Sequence, residues 1–195
     1  MVDKFIVAAL QEEADPIIEF YNLSRDTTHS DLKVYTNNQY NLLVTGVGKK
    51  VLDTLPTYLN RIYNVNSILI NIGIAGGNPS CSKIGNIYFI DSLSSDYSNE
   101  EYVFPISDDI IIPKVGLRTV ENNISKNDNN IYKELVDMEA MVITDIAIEL
   151  FDLSKIKIIK IVSDHMDILD WSKLNIRQLI QSNLNTISYL IELDK

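Results

Sequence analysis

At several places in this 195-residue chain, acids or glycines stand where an apolar run gives way to something else. Glu12 and Glu13 follow FIVAAL. Gly73, Ile74, Ala75, Gly76 and Gly77 follow ILINI. Met138 and Glu139 open an apolar segment, and Ser163-Asp164-His165-Met166-Asp167 follows KIKIIKIV. Carboxylates can exchange protons with a ligand or accept its hydroxyls. Glycines leave backbone N–H groups bare and able to face a ligand. Each feature also has a structural reading. Glu12 and Glu13 can complement a helix dipole, the glycines can form a plain tight turn, and Glu139 can be a helix-cap acid. Gly46 and Gly48 in TGVGK have the spacing of half a dinucleotide fingerprint, but the third glycine and a ribose-binding acid are missing. His29 and His165 are the only histidines and lack ligand partners at metal-site spacing; Cys81 is the only cysteine, so no metal and no cofactor is expected.

These residues need elements to hold them. Lys4 to Leu10 predicts a buried first strand, and a helix from Glu12–Glu13 to Tyr21 follows, with Pro16 in its first turn. Leu32 to Thr36 and Tyr40 to Thr45 predict two antiparallel strands about the turn pair Asn37-Asn38. Val51, Leu52, Leu55, Leu59 and Ile62 predict a helix over Lys50 to Tyr63. Ser67 to Gly77 predicts a strand buried on both faces that ends in a glycine turn. Gly85 to Asp91 predicts another strand, and Ser92 to Glu101 an irregular polar stretch. Asp109 to Pro113 and Val115 to Val120 predict strands, and Asn122 to Asn130 an exposed loop. A buried helix is expected from Met138, a strand over Lys155 to Val162, and a covering helix over about Ser172 to Leu190. Alternating strands and helices make an α/β fold with a central mixed sheet. Acids at strand ends far apart in sequence can then converge on one sheet edge.

Length and composition suit one domain over residues 1–195, with 46% hydrophobic and 23% charged residues. A net charge of −10 argues against nucleic acid as a partner. The N-terminal apolar run is too short to span a membrane and is followed at once by acids, so neither a membrane segment nor a signal peptide is expected. The expectation is a cytoplasmic protein.

Several segments together resemble the nucleoside phosphorylase and nucleosidase superfamily, with the 5'-methylthioadenosine/S-adenosylhomocysteine nucleosidases the most similar branch. IVAALQEEA resembles their first strand and glutamate cluster, and TGVGK their SGIGK segment. INIGIAGG with KIGNIYFID resembles NTGSAGG with KVGDIVVSD. VDMEA resembles VEMEA, and SDHMD the SDxxD segment. The resemblance implies a three-layer α/β/α fold around a mixed, partly closed sheet, a homodimer, and cleavage of the N-glycosidic bond of a purine nucleoside. It makes Glu13 the base that activates water and Asp164 the acid that protonates N7 of the leaving purine, with Ser163 beside it. It places Met138 and Glu139 at the ribose, and Gly73, Ile74, Ala75 and Gly76 along the substrate. Ile74 stands where the family has serine. The segment from Ser92 to Leu135 has little counterpart, and Tyr97, Tyr102 and Phe104 are the candidates to stack on the base. A phosphorylase and a catalytically weak nucleoside-binding homologue are the alternatives. Neither Asp3 to Tyr21 nor Gly76 to Ile90 holds an arginine for phosphate, which favours hydrolysis.

Overall fold

A computed structural model describes residues 3–28, 31–48, 50–122, 124, 132–168 and 171–193. His29, Lys49 and most of the expected Asn122 to Asn130 loop lie outside the described residues. Strand β1 (Lys4–Ala8) is buried along its whole length. It pairs in parallel with β4 (Tyr40–Val44) on one side and β5 (Ile68–Gly76) on the other. Beyond β4 the sheet continues through β3 (Lys33–Thr36) to β2 (Ser24–Arg25), both antiparallel to their neighbours. On its far side β5 pairs in parallel with β10 (Ile156–Asp164). β10 pairs antiparallel to β6 (Ile87–Ser95), which carries a two-residue partner, β7 (Tyr102–Val103). β6 runs parallel to β8 (Lys114–Thr119), and β8 to β9 (Leu135–Asp137). β9 returns to β5 through the single pair Gly76–Val136. The strands β5, β10, β6, β8 and β9 thus close a ring at one end of the sheet, giving the mixed, partly closed sheet expected.

Alternation along β1 sorts the core into two halves. Ile6 and Ala8 pack with Ile70, Ile72, Ile159 and Ile161 beneath α1 (Gln11–Phe20) and α4 (Ile176–Glu192). Phe5 and Val7 pack with Leu69 and Ile158 beneath α2 (Lys50–Ile62) and α3 (Ala140–Ala147). Helices on both faces of the sheet make three layers. The two lysines at buried strand positions away from the cavity are both satisfied. Lys4 pairs with Glu192, and Lys157 donates to the carbonyls of Leu190 and Leu193 at the end of α4. Among the described residues no helix is long and apolar enough to cross a membrane.

Several expectations change. The glycines from Gly73 onward do not end β5: the strand runs on to Gly76 because β10 pairs with it residue by residue. β6 continues to Ser95, since β8 on one side and β7 on the other satisfy the backbone of its serines. Asp109 to Pro113 forms no strand. Pro16 lies inside α1 rather than in its first turn, and α3 starts at Ala140 and stops at Ala147. The aromatic and apolar residues between Tyr88 and Phe104, which the sequence offers as a contact surface for a second copy, are mostly internal: Tyr88, Phe89, Ile90, Leu93 and Phe104 are buried, while Tyr97 and Val103 are exposed.

Candidate active site

The carboxyl ends of β1, β5, β8, β9 and β10 meet at one edge of the sheet, where a cavity of about 520 Å³ opens. Its volume is that of a small-molecule site. Glu13, Ile74, Ala75, Gly76, Met138, Glu139, Ser163 and Asp164 all line it.

Glu13 is carried into the cavity by the first turn of α1 and is only 3% exposed. Its Oε2 accepts from the N–H groups of Ala9 at 3.0 Å and Leu10 at 2.9 Å, and its Oε1 from the N–H of Ile74 at 2.9 Å. A carboxylate offers about four acceptor positions. Three are filled, and the one left on Oε1 is available to a ligand or a water. Burial raises the Glu13 pKa above the ordinary carboxylate value, against the pull of these N–H groups and of Lys160. Gly73 does not line the cavity. It stands behind Glu13 and makes room for it: a Cβ there would lie 2.8 Å from Oε1. Glu12 is exposed and borders the same cavity at its rim.

Glu139 is the N-cap residue of α3, and its Oε1 accepts from the N–H of Gly48 at 3.0 Å. Gly48 has φ +62°, a conformation glycine adopts without steric cost. Burial, with the charge of Asp137 beside it, pushes the Glu139 pKa up to about 7. Met138 is half-buried and lines the cavity next to it.

Asp164, the last residue of β10, is 4% exposed. Its Oδ1 accepts from the Met166 N–H at 2.7 Å and its Oδ2 from the Ser163 hydroxyl at 2.6 Å. The Ser163 Oγ also lies 3.3 Å from the Ala75 carbonyl oxygen. Ser163 can therefore turn to Ala75 when Asp164 itself holds a proton. His165 does not line the cavity; its Nδ1 is 3.0 Å from the Gly77 carbonyl oxygen and donates to it.

Sequence reasoning passed over a buried ion pair beside these acids. Lys160 Nζ lies 2.8 Å from Asp137 Oδ2, with side chains 3% and 1% exposed. Burial works against the Lys160 charge, but Asp137, with Glu139 and Glu13, more than offsets this and raises its pKa. The sign was present in KIKIIKIV: a lysine in a strand buried on both faces needs a buried partner, an acid or a set of carbonyls. The expected aromatics are also absent from the lining. Tyr97 is 43% exposed, Phe104 belongs to the core, and the Tyr102 hydroxyl lies 2.9 Å from carboxylates of both Glu100 and Asp145. The described apolar walls are aliphatic or thioether: Leu10, Val47, Val120, Ile124, Met166 and Ile176 among them. Among the described residues no group of three His, Cys, Asp or Glu side chains is placed to hold a metal ion.

No family model and no curated protein matches the sequence. Solved structures do match. The 5'-methylthioadenosine nucleosidase of Arabidopsis thaliana in its apo form aligns over 100% of this chain and 98% of its own, with TM-score 0.80 and 16% identity. An MTAN from Chlamydia trachomatis bound to MTA aligns over 98% of this chain and 100% of its own, with TM-score 0.75 and 18% identity. The 5'-methylthioadenosine/S-adenosylhomocysteine nucleosidase of S. pneumoniae with the transition-state inhibitor MT-ImmA aligns over 99% and 100%, with TM-score 0.76 and 16% identity. The chain thus shares its fold with these nucleosidases. At these identities the likeness is one of fold, and the chemistry it carries has to be argued from the side chains.

Proposed function

We propose that this protein is a purine nucleosidase that hydrolyses the N-glycosidic bond of a 5'-modified purine nucleoside such as 5'-methylthioadenosine. The observation that carries the reading is the convergence of Glu13, Glu139 and the Ser163–Asp164 pair on one cavity. The fold is shared with nucleosidases whose structures hold MTA or an inhibitor.

Breaking the bond sends its electron pair to the purine and leaves positive charge on the ribose carbon. Asp164 gives a proton to N7, which neutralises the departing base; general acid help of this kind is worth about 10²–10⁴-fold. Water adds to the ribose carbon, and its proton passes to the open position on Glu13 Oε1. Three backbone N–H groups fix that carboxylate, so it need not reorganise as charge develops. Glu139 accepts from the ribose hydroxyls, which offsets its burial in the charged form. Met138 packs on the sugar, and Ile74, Ala75 and Gly76 form the floor. The aliphatic walls enclose the base and the 5' substituent. The products are a free purine and a sugar carrying the new hydroxyl.

Hydrolysis is favoured over phosphorolysis by the charge of the lining. The described lining residues include Glu12, Glu13, Asp137, Glu139 and Asp164, and no lysine, arginine or histidine. A phosphate dianion there would meet like charge at short range. Measuring turnover of 5'-methylthioadenosine, adenosine and inosine, with and without phosphate, tests the proposal. Free purine released from 5'-methylthioadenosine without phosphate is the expected result. Strict phosphate dependence would make the protein a phosphorylase. Saturable binding without turnover would make it the catalytically weak homologue that Ile74, in the serine position, would suit.

The reading extends to a cytoplasmic homodimer that needs no metal or cofactor. Exposed Val47, Leu52, Tyr97 and Val103 supply apolar surface for a partner copy. A monomer at micromolar concentration by light scattering would contradict the dimer.

A further inference from the structure

We propose that Lys160 and Asp137 are positioning residues of this site: Lys160 is the counter-charge that keeps Glu13 and Glu139 usable as carboxylates, and Asp137 clamps Lys160 in place. This rests on the nucleosidase reading for its consequence in catalysis, but its geometry is independent of it.

The register of β10 against β5 sets Lys160 directly beside Gly73. Side chains of paired residues leave a sheet on the same face. The space a Gly73 side chain would occupy is filled instead by the Glu13 carboxylate, whose Oε1 would lie 2.8 Å from the missing Cβ. The stem of Lys160 therefore rises next to Glu13, and its ammonium ends on Asp137 Oδ2 at 2.8 Å. Asp137 is itself held from three sides. Oδ2 also accepts from the Ala140 N–H at 3.0 Å, and Oδ1 accepts from the Thr119 hydroxyl at 2.7 Å. Thr119 Oγ1 in turn accepts from the Met141 N–H at 3.0 Å. One network thus ties β8, β9, β10 and the start of α3 together two residues from Glu139.

The charged and titratable groups facing Lys160 are Glu13 from α1, Asp137 from β9, Glu139 at the head of α3 and, on β6, its register partner Tyr88; β5 contributes none, having Gly73 at that level. Three buried carboxylates share one buried ammonium. Asp137 takes the direct contact, and the remaining field falls on Glu13 and Glu139, both of which Lys160 pulls toward the charged form. Without it the burial of Glu13 would raise its proton affinity further.

The test compares wild type with Lys160→Met, Lys160→Arg and the double variant Asp137→Asn/Lys160→Met. The ionisation of Glu13 is followed by carboxyl-carbon NMR, assigned through Glu13→Gln, and the pH profile of kcat/KM is measured beside it. Lys160→Met should raise the proton affinity of Glu13 by about tenfold or more, moving its titration and the acid limb of the profile to higher pH. Lys160→Arg should return both toward wild type. The double variant removes the pair as a unit, so that Asp137 is not left as a buried charge without its direct partner, and should show the same displacement even if Lys160→Met alone does not fold. A merely structural role would lower kcat equally at every pH and leave the Glu13 titration where it was. An unmoved titration in the folded variants overturns the proposal. The titration needs no substrate, so absence of turnover in wild type would refute the nucleosidase reading alone.

Discussion

Replacing Gly73 by alanine should disable Glu13 without touching it. The added Cβ would lie 2.8 Å from Oε1, 3.3 Å from Cδ and 3.5 Å from Oε2 of Glu13. An ordinary contact begins near 3.4 Å, so Oε1 must retreat by 0.6 Å. Its hydrogen bond from Ile74 is 2.9 Å long and stretches toward 3.5 Å if the retreat runs along it. A hydrogen bond to a charged group contributes about 1.5–3 kcal/mol. Gly73→Ala should therefore cost about 1–3 kcal/mol in urea unfolding. Misplacing a catalytic group by about 1 Å can cost ~10²-fold; kcat should fall about 10- to 100-fold here, with KM less affected. The cost should act through Glu13 alone. In a Glu13→Ala background the three nearest atoms to the new methyl are gone, and the stability penalty should largely vanish. Full activity in Gly73→Ala, or an equal penalty with and without the Glu13 side chain, would refute the account of this strand.

Glu139 supplies a pH signature. Its folded pKa of about 7 lies above the unfolded value of 4.5, so the folded state holds the extra proton between them. Stability is then favoured below about pH 4.5 and lost as pH rises through 7, by an amount on the order of 3 kcal/mol. Glu139→Gln keeps an acceptor for Gly48 and cannot ionise; it should gain on wild type between pH 5 and pH 8 in urea unfolding, and a constant difference would contradict this. Exhaustive chelation should leave turnover intact; loss restored by one metal would contradict it. Phenylalanine at Ile124, on the cavity wall, should tighten purine binding through stacking, and unchanged or weakened affinity by calorimetry would count against a base at that wall.

The fold was largely legible because its strands are short β-branched runs and its helices keep their period. Ile68 to Ile72 reads as a buried strand at sight. What misled was the local meaning of glycine: Gly73 looks like a strand end, yet β10 pairs through it and its missing side chain houses Glu13. In the same way, the serines of β6 look like a loop until β7 and β8 pair with them. The acids Glu13, Glu139 and Asp164 stand out at element ends, but their roles came only through resemblance, since each also suits a helix start or strand end. Asp137 and Lys160 were missed because a strand lysine and a pre-helical aspartate are each ordinary alone. The cavity walls were illegible for another reason. Val120 and Ile124, Met166, and Ile176 come from three separated stretches with no shared pattern.

The central claim is that Asp164 gives the proton and Glu13 takes one, and a single comparison of variants tests it. Purine release from 5'-methylthioadenosine is measured for wild type, Glu13→Gln, Asp164→Asn and Glu12→Gln, and again with a nitrophenyl riboside whose leaving group needs no proton. Glu13→Gln and Asp164→Asn should each lower kcat by about two or more powers of ten with the fold retained. Glu12→Gln, at the exposed rim, should change little. The Asp164→Asn defect should shrink on the nitrophenyl riboside while the Glu13→Gln defect persists. Equal defects of Asp164→Asn on both substrates, a dominant effect at Glu12, or indifference to all three changes would contradict the account.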